Sequence, residues 1–455
     1  MSEIIWDHEL IHKYNQSGPR YTSYPTALEF HENYTEQDFL NAAARYPHRP
    51  LSLYVHIPFC HQLCYFCACN KVITRHQHKA DIYLDFLKKE ITSRAPLFQH
   101  RIVTQIHWGG GTPTYLSKAQ SERLMAMLKA HFSIADDAEI SIEIDPRRIE
   151  LSMLDHLRSL GFNRISMGVQ DFNKAVQKAV NREQDETFIQ ALLERARELG
   201  FQSTNLDLIY GLPLQNVESF MFTLEKVIAL DPDRLSIFNY AHLPSRVPGQ
   251  AKIKEAQLPP PETKLTILQK TIETLGAAGY KFIGMDHFAK PHDELAVAQQ
   301  NGILHRNFQG YTTQEDADLL GLGVSSISLL GDTYAQNEKD LKTYYSLVEE
   351  KGNALHKGLV LSAEDCLRRD VIKALICNFK LDFAPFEAQY GIQFTEHFSE
   401  DLALLQPLME DGLIKQSATG LQVSPKGRLL IRNICLCFDT YSRAAAKRQQ
   451  FSRII

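Results

Sequence analysis

Four cysteines, Cys60, Cys64, Cys67 and Cys69, fall within ten residues of one another in the run CHQLCYFCAC. The first three have the spacing C-x3-C-x2-C, which suits three irons of a [4Fe-4S] cube and leaves the fourth iron without a protein ligand. An iron left open in this way can bind a small molecule and pass it an electron. Cys69 is surplus to that pattern. The competing use of clustered thiols is a structural zinc site, which usually needs two closely spaced pairs closing all four positions. Cys366 and Cys377 lie too far along the chain to complete a local ribbon, and Cys435 and Cys437 sit in an apolar helical stretch. Phe66, next to a ligand position, suits a site that also shelters an organic cofactor.

Further polar residues recur where apolar runs end. GGGTP (109–113) could let a ligand approach the backbone and offer free N–H groups to a carboxylate or phosphate. No Lys-Ser/Thr follows it, so it is not a P-loop. Glu143 in EISIEIDP is expected at a buried strand position, where a carboxylate needs a partner: a salt bridge, a cationic amine or a ribose. Asp207 in NLDLIYGLP, Gln170 in RISMGVQ and Arg182 in VNREQ pose the same choice. Singly each suits a structural role; together they place a polar residue near the ends of successive strands, as a ligand-filled barrel does. Arg20, Tyr21 and Tyr24, with His305, Arg306 and Tyr311, lie in loop-like runs. Their default is surface exposure; the alternative is to cover a flat anionic aromatic substrate.

The elements that must position these residues alternate. LSLYVHIP (51–58), QIHWGGG (105–111), EISIEIDP, RISMGVQ, STNLDLIYGLP (203–213), RLSIFNYA (234–241) and KFIGMDHF (281–288) read as strands, separated by amphipathic helical segments. Tyr83, Phe86, Leu87 and Ile91 share one helical face, and Ser117 with Gln120 forms a capping-box pattern. Strand–helix alternation predicts right-handed βαβ units and a parallel sheet. The fold class is therefore α/β: a partial TIM-like (β/α) barrel of parallel strands with an N-terminal arm and a small, mostly helical C-terminal domain. The expected divisions are an arm or lid (1–48), the barrel core (49–291), an irregular extension completing the active site (292–358) and a winged-helix-like domain (359–455). Composition is that of a soluble globule, 44% apolar and 23% charged. A net charge of −5 argues against a nucleic-acid binder, and no long uncharged apolar run suggests a membrane. A cytoplasmic setting is expected, since clustered thiols in a reducing compartment serve metals or redox chemistry.

YVHIPFCHQLCYFCACN (54–70) resembles the cluster motif of the radical S-adenosylmethionine enzymes. SGPRYTSYPTA (17–27), HWGGGTPTYL, EISIEIDP, MGVQDFN, DLIYGLP, FNYAHLP, GMDHFA and HRNFQGYTTQ (305–314) are similar to runs of the oxygen-independent coproporphyrinogen III oxidase family. The resemblance extends over essentially the whole chain, to the ending QQFSRII. HRNFQGYTTQ, the Cys-x-Cys at 67–69 and the long arm separate it from haem chaperones of the same fold. Ala68 stands where glycine is expected; a positive φ there would disfavour alanine.

This resemblance implies an anaerobic step of haem synthesis. Two propionates of coproporphyrinogen III become vinyl groups through a 5′-deoxyadenosyl radical, giving protoporphyrinogen IX and carbon dioxide. It implies a [4Fe-4S] cluster on Cys60, Cys64 and Cys67, and two S-adenosylmethionine molecules side by side. Tyr54, Gly110, Glu143 and Ile327 would line the first; Phe66, Gly111, Thr112, Gln170, Arg182, Asp207 and Ala241 would line the second. Cys69 is implied to be needed for activity without ligating iron, and with Tyr54 and Glu143 it makes up the expected catalytic group. The implied partners are an electron donor for the cluster and a terminal electron acceptor, with the chain acting as a monomer. Rival readings are a haem chaperone of the same fold, a radical methyltransferase, and a winged-helix regulator with an iron–sulfur sensor. The basic tail with Arg443, Lys447, Arg448 and Arg453 suggests the last; overall acidity and the strand alternation oppose it.

Overall fold

LSLYVHI is apolar on both faces and folds as strand β1 (Leu51–Ile57), in which Leu51, Leu53, Val55 and Ile57 are fully buried. A strand covered on both sides belongs inside a parallel sheet. In the computed structural model, which describes residues 4–314, 317–443 and 451, it does. Of the basic tail, Lys447, Arg448 and Arg453 lie outside the described residues, as does most of the ending at 449–455.

The chain divides into two compact units: Phe30–Ile267 with Asp316–Val360, and Met1–Glu29 with Leu268–Glu315 and Leu361–Ile455. In the first unit β1 is followed by β2 (Ile102–Gly110), β3 (Ser133–Ile144), β4 (Arg164–Gln170), β5 (Ser203–Tyr210) and β6 (Arg234–Asn239), each parallel to the one before. Helices such as His78–Arg94, Lys118–His131 and Val217–Leu230 make the crossovers. Ser117 and Gln120 form the expected capping box.

KFIGMDHF is not the seventh parallel strand. Gly284 and Met285 take positive φ (146° and 53°) and reverse the chain, giving an antiparallel pair, β7 (Lys281–Gly284) and β8 (His287–Ala289), in the second unit. The seventh parallel strand is β9 (Asp318–Leu322), which joins β1 on the side away from β2. The stretch 292–358 is accordingly more regular than expected. Besides β9 it holds β10 (Ile327–Leu330), β11 (Thr333–Asn337) and β12 (Leu355–Val360), which pair antiparallel. Within the first unit the order is β12-β11-β10-β9-β1-β2-β3-β4-β5-β6, a partial (β/α) barrel.

In the second unit the helices Ala363–Asn378, Ser399–Glu410 and Ile431–Phe438 accompany the expected hairpin, Ile414–Gln416 with Gly420–Val423. A third strand, Lys380–Asp382, joins it. The run SGPRYTSYPTA is neither extended, with bends at 22–25 and Tyr21 at φ 48°, nor exposed. Tyr21 donates to Asp439 Oδ2 at 3.0 Å, Tyr24 meets Thr440 Oγ1 at 3.1 Å, and Arg432 Nε donates to Pro19 O at 2.8 Å. Arg20 pairs with Asp286. His305 is buried too, and burial pushes its imidazole down to about 3. Surface exposure therefore fails for Tyr21, Tyr24 and His305, because each packs within its own unit.

Candidate active site

The cysteine loop is clamped from several directions. At its base two short strands, Phe59–Cys60 and Val72–Ile73, pair in parallel, with Val72 N donating to Pro58 O at 2.7 Å and Thr74 N to Cys60 O at 3.0 Å. The turn after the helix Lys174–Ala179 holds its far side. There Tyr65 N donates to Val180 O at 3.0 Å and Asn181 Nδ2 to Leu63 O at 2.7 Å. Asn181 sits at φ 56°, a left-handed conformation that asparagine tolerates. Gln250 Nε2 donates to both Phe66 O (3.0 Å) and Ala241 O (3.2 Å), tying Ala241 to the loop. Lys71 Nζ caps Cys67 O at 2.8 Å. Ala68 is not among the residues with positive φ, so alanine is acceptable where glycine was expected.

The loop borders a cavity of about 340 Å³ at the C-terminal ends of the parallel strands. Cys60, Cys64, Cys67 and Cys69 line it, with Phe66, Gly110, Gly111 and Thr112, and with Glu143, Gln170, Arg182 and Asp207. Twelve of the fifteen expected site residues are thus brought together. Tyr54, Ala241 and Ile327 are not among the lining residues. Tyr54 stacks on His107 and meets His56 Nδ1 at 3.0 Å. Burial, then the charges of Glu143 and Cys69, push its phenol well up, and Tyr54 and Glu143 both crowd Gly109, where a Cβ would lie 3.1 Å from Tyr54 Cε2 and 3.0 Å from Glu143 Oε1. Ile327 reaches Tyr54 through Gly321, the register partner of Tyr54: a Cβ on Gly321 would lie 2.7 Å from Ile327 O.

The thiols differ in character. Burial pushes Cys60 up to about 11, against a hydrogen-bonding contact with Thr112 Oγ1 at 3.4 Å. Cys67 is drawn down to about 6, chiefly by its hydrogen bond with Cys69, whose own thiol that bond and burial push up. Cys64 Sγ receives N–H groups from Arg147 and Arg182. Three thiols on one loop, each able to bind a separate iron, and no second pair of cysteines beside them to close a tetrahedral zinc site in the local sequence, are a donor set that fits an iron–sulfur cube.

Two expectations change. The glycine N–H groups are not free: Gly110 N donates to Glu143 Oε2 at 3.2 Å and Gly111 N to Ile57 O at 2.8 Å. These glycines serve close packing, since a Cβ would lie 2.6 Å from His56 at Gly110 and 2.6 Å from Pro58 O at Gly111. Glu143 is not buried either. Its side chain is 45% exposed, and its further partner is His107 Nε2 at 3.5 Å, leaving carboxylate surface for a cation in the cavity. Gln170 ends β4 at φ 70° with a register shift, and its buried Oε1 has no hydrogen-bond partner. An orphaned acceptor and an available carboxylate on one cavity are what a polar organic ligand would satisfy. Asp207 accepts from Asn205 at 2.8 Å and Ser166 at 3.3 Å; burial, then Glu143, push it up to about 6.

Sequence reasoning missed Asp145, Arg147 and Ser166, all on the cavity. Burial pushes the Asp145 carboxyl up, but Arg182 and Arg147 together hold it well below the usual range. The available signal was the charged DPRR directly after a strand.

A family model for the radical SAM superfamily matches residues 54–227, and one for the HemN C-terminal domain matches residues 361–430. The oxygen-independent coproporphyrinogen III oxidase of Escherichia coli (strain K12) is 67% identical over 455 residues, covering 100% of each chain. That of Pseudomonas aeruginosa is 50% identical over 461 aligned positions, again covering 100% of each. A solved structure of coproporphyrinogen III oxidase (HemN) from Escherichia coli, a radical SAM enzyme, superposes with a TM-score of 0.94 at 65% identity. It covers 97% of this chain and 100% of that one.

Proposed function

The chain belongs to the oxygen-independent coproporphyrinogen III oxidases of the radical SAM superfamily, and from that membership we propose how its residues divide the work. It is an enzyme with coproporphyrinogen III as substrate and a [4Fe-4S] cluster and S-adenosylmethionine as cofactors. Cys60, Cys64 and Cys67 hold the cluster. Glu143 receives the cationic amine of a first S-adenosylmethionine, against Tyr54, Gly110 and Ile327. Gln170, Arg182 and Asp207, with Phe66, Gly111, Thr112 and Ala241, face a second. Bound there, these groups supply a one-electron cleavage that ends in removal of a hydrogen atom from a propionate. The protein's own task is placement and exclusion. The clamped loop fixes the sulfurs, Phe66 keeps one wall apolar, and the carboxylates orient polar ends so that only one C–H bond comes within reach.

Each propionate loses a hydrogen atom, then carbon dioxide and one electron, as it becomes a vinyl group. The balance requires an electron donor for the cluster and an acceptor at the end. We assign the chain to the cytoplasm; among the described residues no helix is long and apolar enough to cross a membrane.

The observation that carries this reading is the convergence of the four cysteines with Glu143, Gln170, Arg182 and Asp207 on one cavity at the strand ends. The test is an anaerobic assay with reductant, S-adenosylmethionine and coproporphyrinogen III. Carbon dioxide release with one S-adenosylmethionine consumed per vinyl group is expected. Cofactor consumption without decarboxylation, or a porphyrin heavier by a methyl group, would overturn it.

A further inference from the structure

Two guanidinium groups face the sulfur of Cys64: Arg147 Nη2 donates at 3.2 Å and Arg182 Nη1 at 3.3 Å. Arg182 commits its Nε and Nη2 to Gly168 O. Arg147 is held by a different set. Its Nε and Nη2 fork onto Asp145 at 2.9 and 2.6 Å, and its Nη1 donates to Asn181 O at 3.1 Å. Its side chain is only 8% exposed. Asp145 also lies 3.6 Å from Arg182 Nη1, so one carboxylate positions both cations and neutralises only one. Asn181, which receives Arg147, also holds the ligand loop through Leu63 O. Arginine and sulfur are therefore anchored to the same short segment.

Resting on the reading of Cys60, Cys64 and Cys67 as cluster ligands, we propose that Arg147 is a positioning residue that sets the electron affinity of the cluster through its hydrogen bond to Cys64 Sγ. A donated N–H and a nearby positive charge draw electron density from a ligand sulfur and favour the more negative, reduced cluster. The buried setting strengthens both effects, because solvent does not screen them. Asp145 keeps the guanidinium turned to the sulfur and limits how far the potential rises.

The test is an anaerobic redox titration followed by electron paramagnetic resonance, on the reconstituted wild type, Arg147→Gln and Arg147→Lys, after iron and sulfide in each have been counted. Full clusters are expected in all three. In Arg147→Gln electron uptake weakens at least tenfold, a midpoint lower by about 59 mV for a one-electron couple. Arg147→Lys, which keeps the charge but not the fork, falls between. An unchanged midpoint in Arg147→Gln with full iron overturns the proposal. Loss of iron from both variants also overturns it, since Arg147 would then be a scaffold for the loop. Equal iron in the wild type and Cys64→Ala would instead overturn the ligand reading, which separates the two failures.

Discussion

Cys67 and Cys69 are two positions apart and carry opposite tendencies: a thiol drawn down to about 6 beside one pushed up by the same hydrogen bond. A ligand must give up its proton, which is the direction Cys67 takes, and Cys69 lines the cavity beside it. Cys60→Ala is therefore expected to abolish the broad iron–sulfur absorbance, while Cys69→Ser keeps absorbance and iron but loses product formation. Asp207 yields a pH prediction. Its folded pKa, about 6, lies above its ordinary 3.8, so the folded state binds the proton more tightly. The resulting stabilisation is complete below about pH 4 and lost as pH rises through about 6. Asp207→Asn should raise the melting temperature above about pH 7 and leave it nearly unchanged near pH 4, by thermal scans at both ends. At this scale the cysteines were legible because their chemistry lies in local spacing. Arg147 was not, because its meaning depends on the fold bringing residues 64, 145, 147 and 182 together.

The ends of β1 and β2 show how an element constrains a residue. Gly111 packs on the carbonyl of Pro58, and backbone cannot move aside as a flexible side chain can. Gly111→Ala is expected to cost about 1–3 kcal/mol and to loosen the junction of β1 and β2, measured by denaturant titration. The parallel strands β1 to β6 were readable because short apolar runs, continuous in β1 and alternating in β4 and β5, lie between amphipathic helices. Two elements were not. KFIGMDHF has strand composition throughout, and only the positive φ at Gly284 and Met285 breaks it in two. In β9, Asp318–Leu322 is buried at every position, with an ion pair from Arg101 to Asp318 at 2.8 Å, so no alternation marks it as a strand.

For the whole molecule, a net charge of −5 opposes binding to a polyanion such as nucleic acid, and we propose that the chain acts as a monomer. Light scattering on the purified chain should give a single species at 51.9 kDa, and a higher mass would remove the monomer assignment. The two units each retain their own packing logic: a sheet with its reactive loop in one, and in the other an arm fastened to the helix Ile431–Phe438 through Arg432 and to Asp439 just beyond it. The fastening of the cysteine loop reaches further than catalysis. Val180, Asn181 and Gln250, far away in the chain, keep its shape with hydrogen bonds that owe nothing to iron. The loop is therefore expected to keep its shape when the cluster is lost, so that iron and sulfide added to oxygen-exposed protein restore the iron–sulfur absorbance without a denaturation and refolding step.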